Sequence, residues 1–221
     1  GVEITHPDKV LFLASNITKL DIAKYYEQVR DLILPELRDR PLSLVRAPEG
    51  LTGGTFYQKH PSESFPEYIE RVKIKEKEGT GIYITIDELN DIIYLVNIGV
   101  LEFHTWNSVL SDLEHPDRLV FDFDPSPEAD FQYVIKGAKL IYDKLQELGY
   151  KPKVKTSGGK GYHVYADVIK QMTWGEAKSF AKSLAEELVN EFPEQYTINL
   201  PKSKRIGKVF IDYLRNERGS T

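Results

Sequence analysis

Three stretches of the chain carry apolar residues at helical spacing. Thr18 is a typical N-cap with Asp21 three residues later, which predicts that a helix begins there. A second apolar stripe runs over 127–148, and Gly149 follows it as a stop signal. Thr173 opens the third stripe with the same capping pattern. Each helix is expected to bury one face.

Short β-type runs lie between these stripes. The predicted strands are 42–46, 54–59, 71–74, 82–86, 92–96, 118–125, 153–156, 161–166 and 208–214. No repeat, low-complexity segment or long linker separates them. We therefore expect one α+β domain over 1–221, with two adjoining sheets flanked by helices.

Composition narrows the chemistry that the chain can perform. It contains no cysteine, so any bound metal must be held by carboxylates or histidines. Its apolar runs are all shorter than the ~18 residues of a membrane span, which predicts no membrane association. These features fit a cytoplasmic protein.

Charge is distributed unevenly along the chain. The net charge is −5, which argues against a uniformly basic nucleic-acid binder. However, residues 1–150 carry 16 Lys+Arg against 26 Asp+Glu, whereas residues 151–221 carry 13 against 8. The basic C-terminal part can still attract phosphate locally, because charge effects decay over roughly 8–10 Å.

Three aspartates lie in β-type runs. Asp122 and Asp124 are two residues apart, so a strand would project both carboxylates to the same face. Such a pair favours a bound cation, although two aspartates that form a turn at the end of a strand would give the same sequence pattern. Asp212 stands between apolar neighbours, where a carboxylate needs a partner or a metal.

The segment 156–163 combines glycines with polar donors. Gly158 and its neighbouring glycines would let a phosphate approach the backbone, with Ser157 as a hydroxyl donor, Lys160 as a charge and His163 nearby. It lacks the spacing of a Walker loop, and a simple β-hairpin turn would also explain the glycines. Carboxylates for metal beside a donor-rich glycine loop indicate chemistry on a phosphate ester.

Other candidates are less specific. His104 lies among aromatic residues, where most histidines are structural. On a strand, Phe56 and Tyr57 would place one ring inward and one outward, so that one could stack on a base, with Lys59 near a phosphate.

Taken together, these segments resemble the polymerase domain of the prokaryotic end-joining DNA ligase D family, within the archaeo-eukaryotic primase superfamily. The matching segments, in the family's order, are 6–12, 18–19, 58–60, 101–106, 117–125, 155–163 and 209–216. The resemblance implies a primase-type catalytic core, with a sheet like that of an RNA-recognition motif packed against a second β-rich module.

The resemblance also implies an activity. Such a domain is a template-directed nucleotidyltransferase that prefers ribonucleotides and fills gaps or extends ends in double-strand break repair. The implied partners are DNA with a gap or broken end bearing a 5′-phosphate, NTP or dNTP, an end-joining ligase and a Ku-type end binder.

The family's residue roles transfer onto matching positions of this chain. Asp122, Asp124 and Asp212 would bind two ions, Mn²⁺ or Mg²⁺, and act as the catalytic residues. The implied nucleotide-binding residues are His104 at the sugar, Ser157, Gly158, Lys160 and His163 at the triphosphate, and Arg205 and Asn216 beside the third aspartate. The implied DNA-binding residues are Lys9 and Lys19 at the 5′-phosphate, with Phe56, Tyr57 and Lys59 near the template.

Some features depart from the family pattern. The family normally continues with a basic, proline-containing segment after the position of Thr221, so a minimal or C-terminally trimmed member is expected. Two alternatives from other classes remain open. A D-x-D glycosyltransferase would also use Mn²⁺ but would not need Asp212, and a non-catalytic DNA-end binding module would not need Asp122.

Overall fold

The structure is a computed structural model that describes all of residues 1–221. The chain divides into two compact units, residues 1–106 with Thr221 and residues 107–220. The single catalytic domain over 1–221 stays a prediction. No helix is both long enough and apolar enough to cross a membrane.

The chain forms twelve strands and five α-helices. The strands are β1 (Val10–Phe12), β2 (Ile17–Thr18), β3 (Leu42–Arg46), β4 (Phe56–Gln58), β5 (Arg71–Lys75), β6 (Thr80–Ile84), β7 (Val100–Thr105), β8 (Arg118–Pro125), β9 (Lys153–Thr156), β10 (Tyr162–Asp167), β11 (Tyr196–Thr197) and β12 (Val209–Asp212). The α-helices are α1 (Lys19–Gln28), α2 (Arg30–Leu37), α3 (Leu89–Asn97), α4 (Phe131–Glu147) and α5 (Trp174–Glu191). Single 3₁₀ turns lie at Leu13–Ser15, Leu51–Gly53, Lys202–Lys204 and Leu214–Asn216.

The first unit is built around a five-stranded antiparallel sheet. Its strand order is β4-β3-β6-β5, and β7 also pairs with β3. The helix predicted after Thr18 is confirmed, with the Thr18–Asp21 capping box formed in both directions. Helices α1 and α3 cover one core with the sheet, in which Ile22, Leu44 and Leu95 are buried.

The strand predicted at 92–96 is wrong, because this run forms most of helix α3. Ile92, Leu95 and Val96 are fully buried, whereas the two residues between them are only partly buried, which is helical periodicity. Asp91 also starts the helix by accepting hydrogen bonds from the backbone N–H groups at 87 and 88. A continuous apolar run does not separate a buried strand from a buried helix, and this capping decides between them.

The second unit has the connectivity β8–α4–β9–β10–α5–β12. Its sheet order is β11-β12-β8-β10-β9, with β8 antiparallel to both of its neighbours and β11 parallel to β12. Two β-α-β units interleaved in this way form the ferredoxin-like arrangement. The observed architecture is the α+β class that the sequence predicts, including the sheet like that of an RNA-recognition motif.

The two faces of this sheet differ in character. Leu119, Phe121 and Phe123 of β8 are completely buried in the core that α4 and α5 cover. Because side chains alternate along a strand, Asp122 and Asp124 project from the opposite face. The apolar period of β8 therefore sets where the aspartates point.

Candidate active site

The face of the second sheet opposite the helices gathers polar side chains from three neighbouring strands. The strand register sets His163 of β10 opposite Asp122 of β8, and Asp122 opposite Asp212 of β12. Directly opposed residues project to the same face with Cβ atoms about 4.5–5.5 Å apart. Asp124 follows two residues along β8 and is paired with Phe210. The three predicted aspartates and His163 thus share one face.

Asp122 is buried and engaged on both carboxylate oxygens. Its Oδ2 accepts a hydrogen bond from Nε of Arg215 at 2.9 Å, and Nη2 of the same guanidinium lies 2.9 Å from this oxygen as an ion pair. Its Oδ1 lies 3.3 Å from Nε2 of His163. Burial is the largest influence on this carboxyl and opposes ionisation, but His163 and Arg215 outweigh it, so the pKa of Asp122 is lowered.

Asp212 lies in the opposite electrostatic situation. The pKa of Asp212 is raised, mainly by burial, and the charge of Asp122 raises it further. The backbone N–H of Leu214 and the charge of Arg215 act in the other direction but do not outweigh burial. That N–H donates to Asp212 Oδ1 at 2.8 Å. Two carboxyl groups whose environments move their pKa values apart are typical of functional sites.

The side chains of the three aspartates do not form a ready metal-binding cluster. No group of three or more His, Cys, Asp or Glu side chains within 1–221 is arranged to hold a metal ion. Asp122 is instead balanced by Arg215, while Asp124 is exposed to solvent. Metal binding by the three aspartates stays a prediction.

The opposed pKa shifts give opposite pH effects on stability. The folded pKa of Asp212 is raised, so its contribution to stability is present at low pH and is lost as pH rises through that pKa. The folded pKa of Asp122 is lowered, so its contribution is present above the ordinary carboxyl range and is lost as pH falls through it. Asp212→Asn should therefore raise Tm at pH 7 and match the wild type below about pH 4.

Thermal unfolding from pH 3 to 8 measures this effect. Asp122→Asn is the matched comparison and should lower Tm at pH 7, since its carboxylate loses the charged contact with Arg215. A Tm for Asp212→Asn below that of the wild type at pH 7 would contradict the assignment.

The glycine loop between β9 and β10 is organised by Ser157. The Ser157 hydroxyl accepts hydrogen bonds from the backbone N–H groups of Gly159 and Gly161, both at 3.2 Å. Gly158 adopts a positive φ of 83°. Together with 125–127, Ala129, Phe131 and Tyr162, the loop lines a cleft of about 690 Å³. Lys160 also lines this cleft, so donors and a cation surround one concave space.

Gly161 is required by the close approach of the two strands. A Cβ atom at this position would lie 1.7 Å from the carbonyl oxygen of Phe123 and 2.9 Å from its carbonyl carbon. Only glycine fits against the backbone of β8 here. The loop is therefore tied to the strand that carries Asp122 and Asp124.

Arg205 and Asn216 are occupied by contacts within the protein. Arg205 donates from Nε to the Asn199 carbonyl at 3.0 Å and from Nη2 to the Leu200 carbonyl, and its guanidinium lies 3.7 Å above the Phe210 ring. Asn216 is completely buried, and its amide exchanges two hydrogen bonds with the backbone of Val120. Their nucleotide contacts stay predictions, and the observed contacts position neighbouring segments.

Arg215 is the site residue that the sequence reasoning missed. It follows the third aspartate by three residues in the matched segment 209–216, yet only its neighbour Asn216 was assigned a role. An arginine shortly after a buried aspartate is the signal that could have found it, because a buried carboxylate needs a cationic partner.

In the first unit, Lys9 and Lys19 lie close enough to influence each other. Lys19 is buried, with 6% of its surface exposed, and its Nζ donates to the Thr5 carbonyl at 2.8 Å. Burial is the main cause that lowers its pKa, and the positive charge of Lys9 is the second. Lys9 pairs with Glu49 at 3.0 Å. Two neighbouring ammonium groups thus have a single carboxylate near them, which favours a further anion.

The aromatic pair of the first unit lies on an edge strand. Phe56 and Tyr57 are both exposed, at 46% and 54%, so the expectation that one ring would point inward is wrong. An edge strand with solvent on both faces leaves both rings accessible. Arg46 lies 5.1 Å from the centroid of the Phe56 ring. Tyr57 meets His104 edge-on, with centroids 6.1 Å apart.

His104 and Lys59 each have an acidic partner in this unit. His104 Nε2 lies 2.7 Å from Glu102 Oε2. Lys59 Nζ lies 2.7 Å from Glu76, whose hydrogen bond is the main cause that raises the pKa of this lysine. To bind a DNA phosphate, Lys59 would therefore have to break its ion pair with Glu76.

Comparison with known proteins identifies the class to which this fold and site belong. The model of the LigD primase-polymerase domain matches residues 18–221. The chain belongs to this family, which confirms the resemblance inferred from its motifs.

Individual relatives agree with this assignment. The chain is 36% identical over its full length to the multifunctional non-homologous end joining protein LigD of Pseudomonas aeruginosa, and covers 26% of that protein. It is 28% identical to the bifunctional protein LigD of Bacillus subtilis, covering 35% of it. The chain spans about a quarter to a third of the length of these curated relatives.

A solved structure matches the fold over the whole chain. The polymerase domain of Mycobacterium tuberculosis ligase D in complex with DNA superimposes with a TM-score of 0.92 at 29% identity, covering all of this chain and 79% of that one. The predicted fold class is confirmed.

Proposed function

We propose that this chain is a template-directed nucleotidyltransferase that prefers ribonucleotides and fills gaps or extends broken ends in DNA double-strand break repair. The observation that carries the proposal is the row of His163, Asp122 and Asp212 across three strands, with Asp124 beside it. Relatives named for non-homologous end joining support the repair context.

The donor chemistry of the site fits divalent ions. Asp122, Asp124 and Asp212 supply only carboxylate oxygens, the ligands that Mg²⁺ and Mn²⁺ prefer. Asp122 and Asp212 are opposed like charges, and that repulsion contributes to the raised pKa of Asp212. We propose that these three residues hold two such ions, which would acidify the primer hydroxyl and neutralise the leaving pyrophosphate.

The protein's own residues prepare this site. Arg215 and His163 keep Asp122 ionised and fix the direction of its carboxylate. Gly158 and Lys160 line the cleft in which we place the triphosphate, and the hydroxyl of Ser157 holds the loop that forms this wall of the cleft. The Lys160 ammonium and the loop backbone would contact the triphosphate there. Arg205 and Asn216 support the site by holding neighbouring backbone.

In the first unit, we assign the DNA and sugar contacts to groups that solvent can reach. Phe56 and Tyr57 offer two accessible rings on which template bases can stack. His104, held at Nε2 by Glu102, would contact a ribose hydroxyl through its other ring nitrogen and favour NTP over dNTP. Lys59 would contact template phosphate.

Lys9 and Lys19 are proposed to bind the 5′-phosphate of a gap. Lys9→Ala with Lys19→Ala should weaken binding to a phosphorylated gap about 100-fold or more, since each lost charged hydrogen bond contributes ~1.5–3 kcal/mol. Binding to an unphosphorylated gap should change little. Fluorescence anisotropy with the two DNAs measures the difference.

Lys24→Ala provides the control, because Lys24 is an exposed lysine of the same helix. Because Lys19 is buried, its replacement could disturb folding, so Lys9→Ala is also measured alone. An equal loss of affinity for the phosphorylated and the unphosphorylated gap would show that these lysines contact DNA phosphates in general and do not recognise the 5′-phosphate.

Primer extension tests the proposed activity directly. The protein is incubated with a gapped, 5′-phosphorylated duplex, labelled NTP or dNTP, and Mn²⁺ or Mg²⁺. Template-matched, metal-dependent extension that is faster with NTP is expected. Transfer from sugar nucleotides without extension would favour the glycosyltransferase, and gap binding without either would favour the end-binding module.

The proposal includes partners and place of action. A gap-filling step needs a ligase to seal the product and an end binder of the Ku type to hold the break. We place this action in the cytoplasm, where bacterial chromosomal DNA lies.

A further inference from the structure

The segment 198–208, which joins β11 to β12 and is called the basic loop below, concentrates cations next to the aspartates. It contains Lys202, Lys204, Arg205 and Lys208 within seven residues and no acidic residue. Lys202 and Lys204 are exposed to solvent. No assigned role accounts for these lysines.

The basic loop lies at the end of β8 that carries Asp124. The Ser126 N–H donates to the Lys208 carbonyl at 3.0 Å, and the Gly207 N–H donates to the Ser126 hydroxyl at 3.0 Å. On the other side of β8, Gly161 of the glycine loop touches the backbone of Phe123. Cation-bearing loops therefore flank both sides of this strand end.

Arg205 holds the basic loop in one conformation. Its guanidinium binds the carbonyl groups of Asn199 and Leu200 and covers Phe210, so it closes the loop from inside. The Lys204 N–H also donates to the Pro201 carbonyl at 2.9 Å. A loop that is ordered before binding loses less entropy when it meets its ligand.

The loop lysines lack the acidic partners that other lysines of this unit have. Four lysines of α4 and α5 form ion pairs: Lys139 with Asp143, Lys144 with Glu187, Lys178 with Glu217 and Lys182 with Glu186. Lys202, Lys204 and Lys208 have no carboxylate within 4.0 Å. Their charge is available for an external anion.

The form of the surface indicates a polymer rather than a single nucleotide. The basic loop contributes no residue to the cleft at the glycine loop, where donors converge. Its lysines are instead interspersed with the exposed apolar residues Leu200 and Ile206, at 56% and 66% exposure. Separated phosphates with apolar sugars and bases between them match this alternation.

We propose that the basic loop grips the phosphate backbone of a nucleic-acid strand that leads to the aspartate-bearing face. Lys202 and Lys204 bind successive phosphates, Arg205 positions the loop, and Leu200 and Ile206 contact sugar or base edges. The inference rests on the proposed function for its choice of polyanion. Because these contacts are to the phosphate backbone, the basic loop adds affinity for nucleic acid but no sequence preference.

The salt dependence of DNA binding tests this inference. Lys202→Ala with Lys204→Ala should reduce the slope of log K against log salt concentration by about 1.4 for single-stranded DNA, as expected for two lost phosphate contacts. The loss should be the same for different sequences. Lys202→Arg with Lys204→Arg should retain the wild-type slope.

The control is Lys139→Ala with Lys182→Ala, which removes the same charge from lysines of α4 and α5 that have acidic partners. An unchanged slope in the loop variant, or an equal reduction in the control, would overturn the inference. Primer extension at saturating DNA is measured in parallel. A wild type that binds DNA but does not extend primers would refute the proposed activity and leave the loop result intact.

Discussion

Asp122→Asn is expected to lower the rate of primer extension about 10³-fold or more while DNA binding stays near the wild-type level. The substitution keeps the shape of the side chain but removes the charge that faces Arg215, His163 and Asp212. Losing about 4 kcal/mol of transition-state stabilisation corresponds to a factor of that size. Single-turnover extension of a gapped primer at saturating NTP measures it.

The matched control for this change is Asp143→Asn on α4. Asp143 forms a salt bridge with Lys139 and takes no part in the row of opposed residues. Its loss should leave extension unchanged. If Asp122→Asn and Asp124→Asn both extend primers at the wild-type rate, the aspartates are not the catalytic centre. A DNA-binding role without catalysis would then explain the site.

Gly161→Ala is expected to destabilise the protein and to impair the site together. The new methyl group would overlap the Phe123 carbonyl oxygen, so β10 must move away from β8. Overpacking of this kind costs about 1–3 kcal/mol, and contact with rigid backbone favours the upper end. Urea denaturation should show a lower midpoint, and primer extension should fall because His163 and the glycine loop shift.

Gly159→Ala separates this effect from a general loss of loop flexibility. A Cβ atom there would have the Ser157 hydroxyl oxygen as its nearest neighbour, at 3.7 Å, which is ordinary contact. This variant should keep the wild-type midpoint. Equal stability of the two alanine variants would show that β8 and β10 are not packed as described.

Local signals in the sequence predicted local structure well. The capping boxes at Thr18 and Thr173 depend on residues three positions apart, and both form as expected. The strand predicted at 92–96 failed because its run of five apolar residues carries no period by itself. The capping by Asp91 and the packing of Ile92, Leu95 and Val96 into the core reveal the helix.

The candidate site was predicted in part, for a physical reason. Alternation along β8 could place Asp122 beside Asp124, since both lie on one strand. The facing of His163, Asp122 and Asp212 depends on the register of three strands, which is set by contacts between distant parts of the chain. Burial of Lys19 was likewise not predictable, because most lysines lie in solvent.

The buried amide of Asn216 constrains the number of residues between Asp212 and Asn216. By exchanging two hydrogen bonds with the backbone of Val120, it continues the ladder of β12 by one rung after the chain has turned away at Asp212. The three intervening residues are thus a spacer of fixed length. Inserting or deleting one residue there would uncouple Arg215 from Asp122, so this turn should be far less tolerant of length changes than the exposed loops of the same unit.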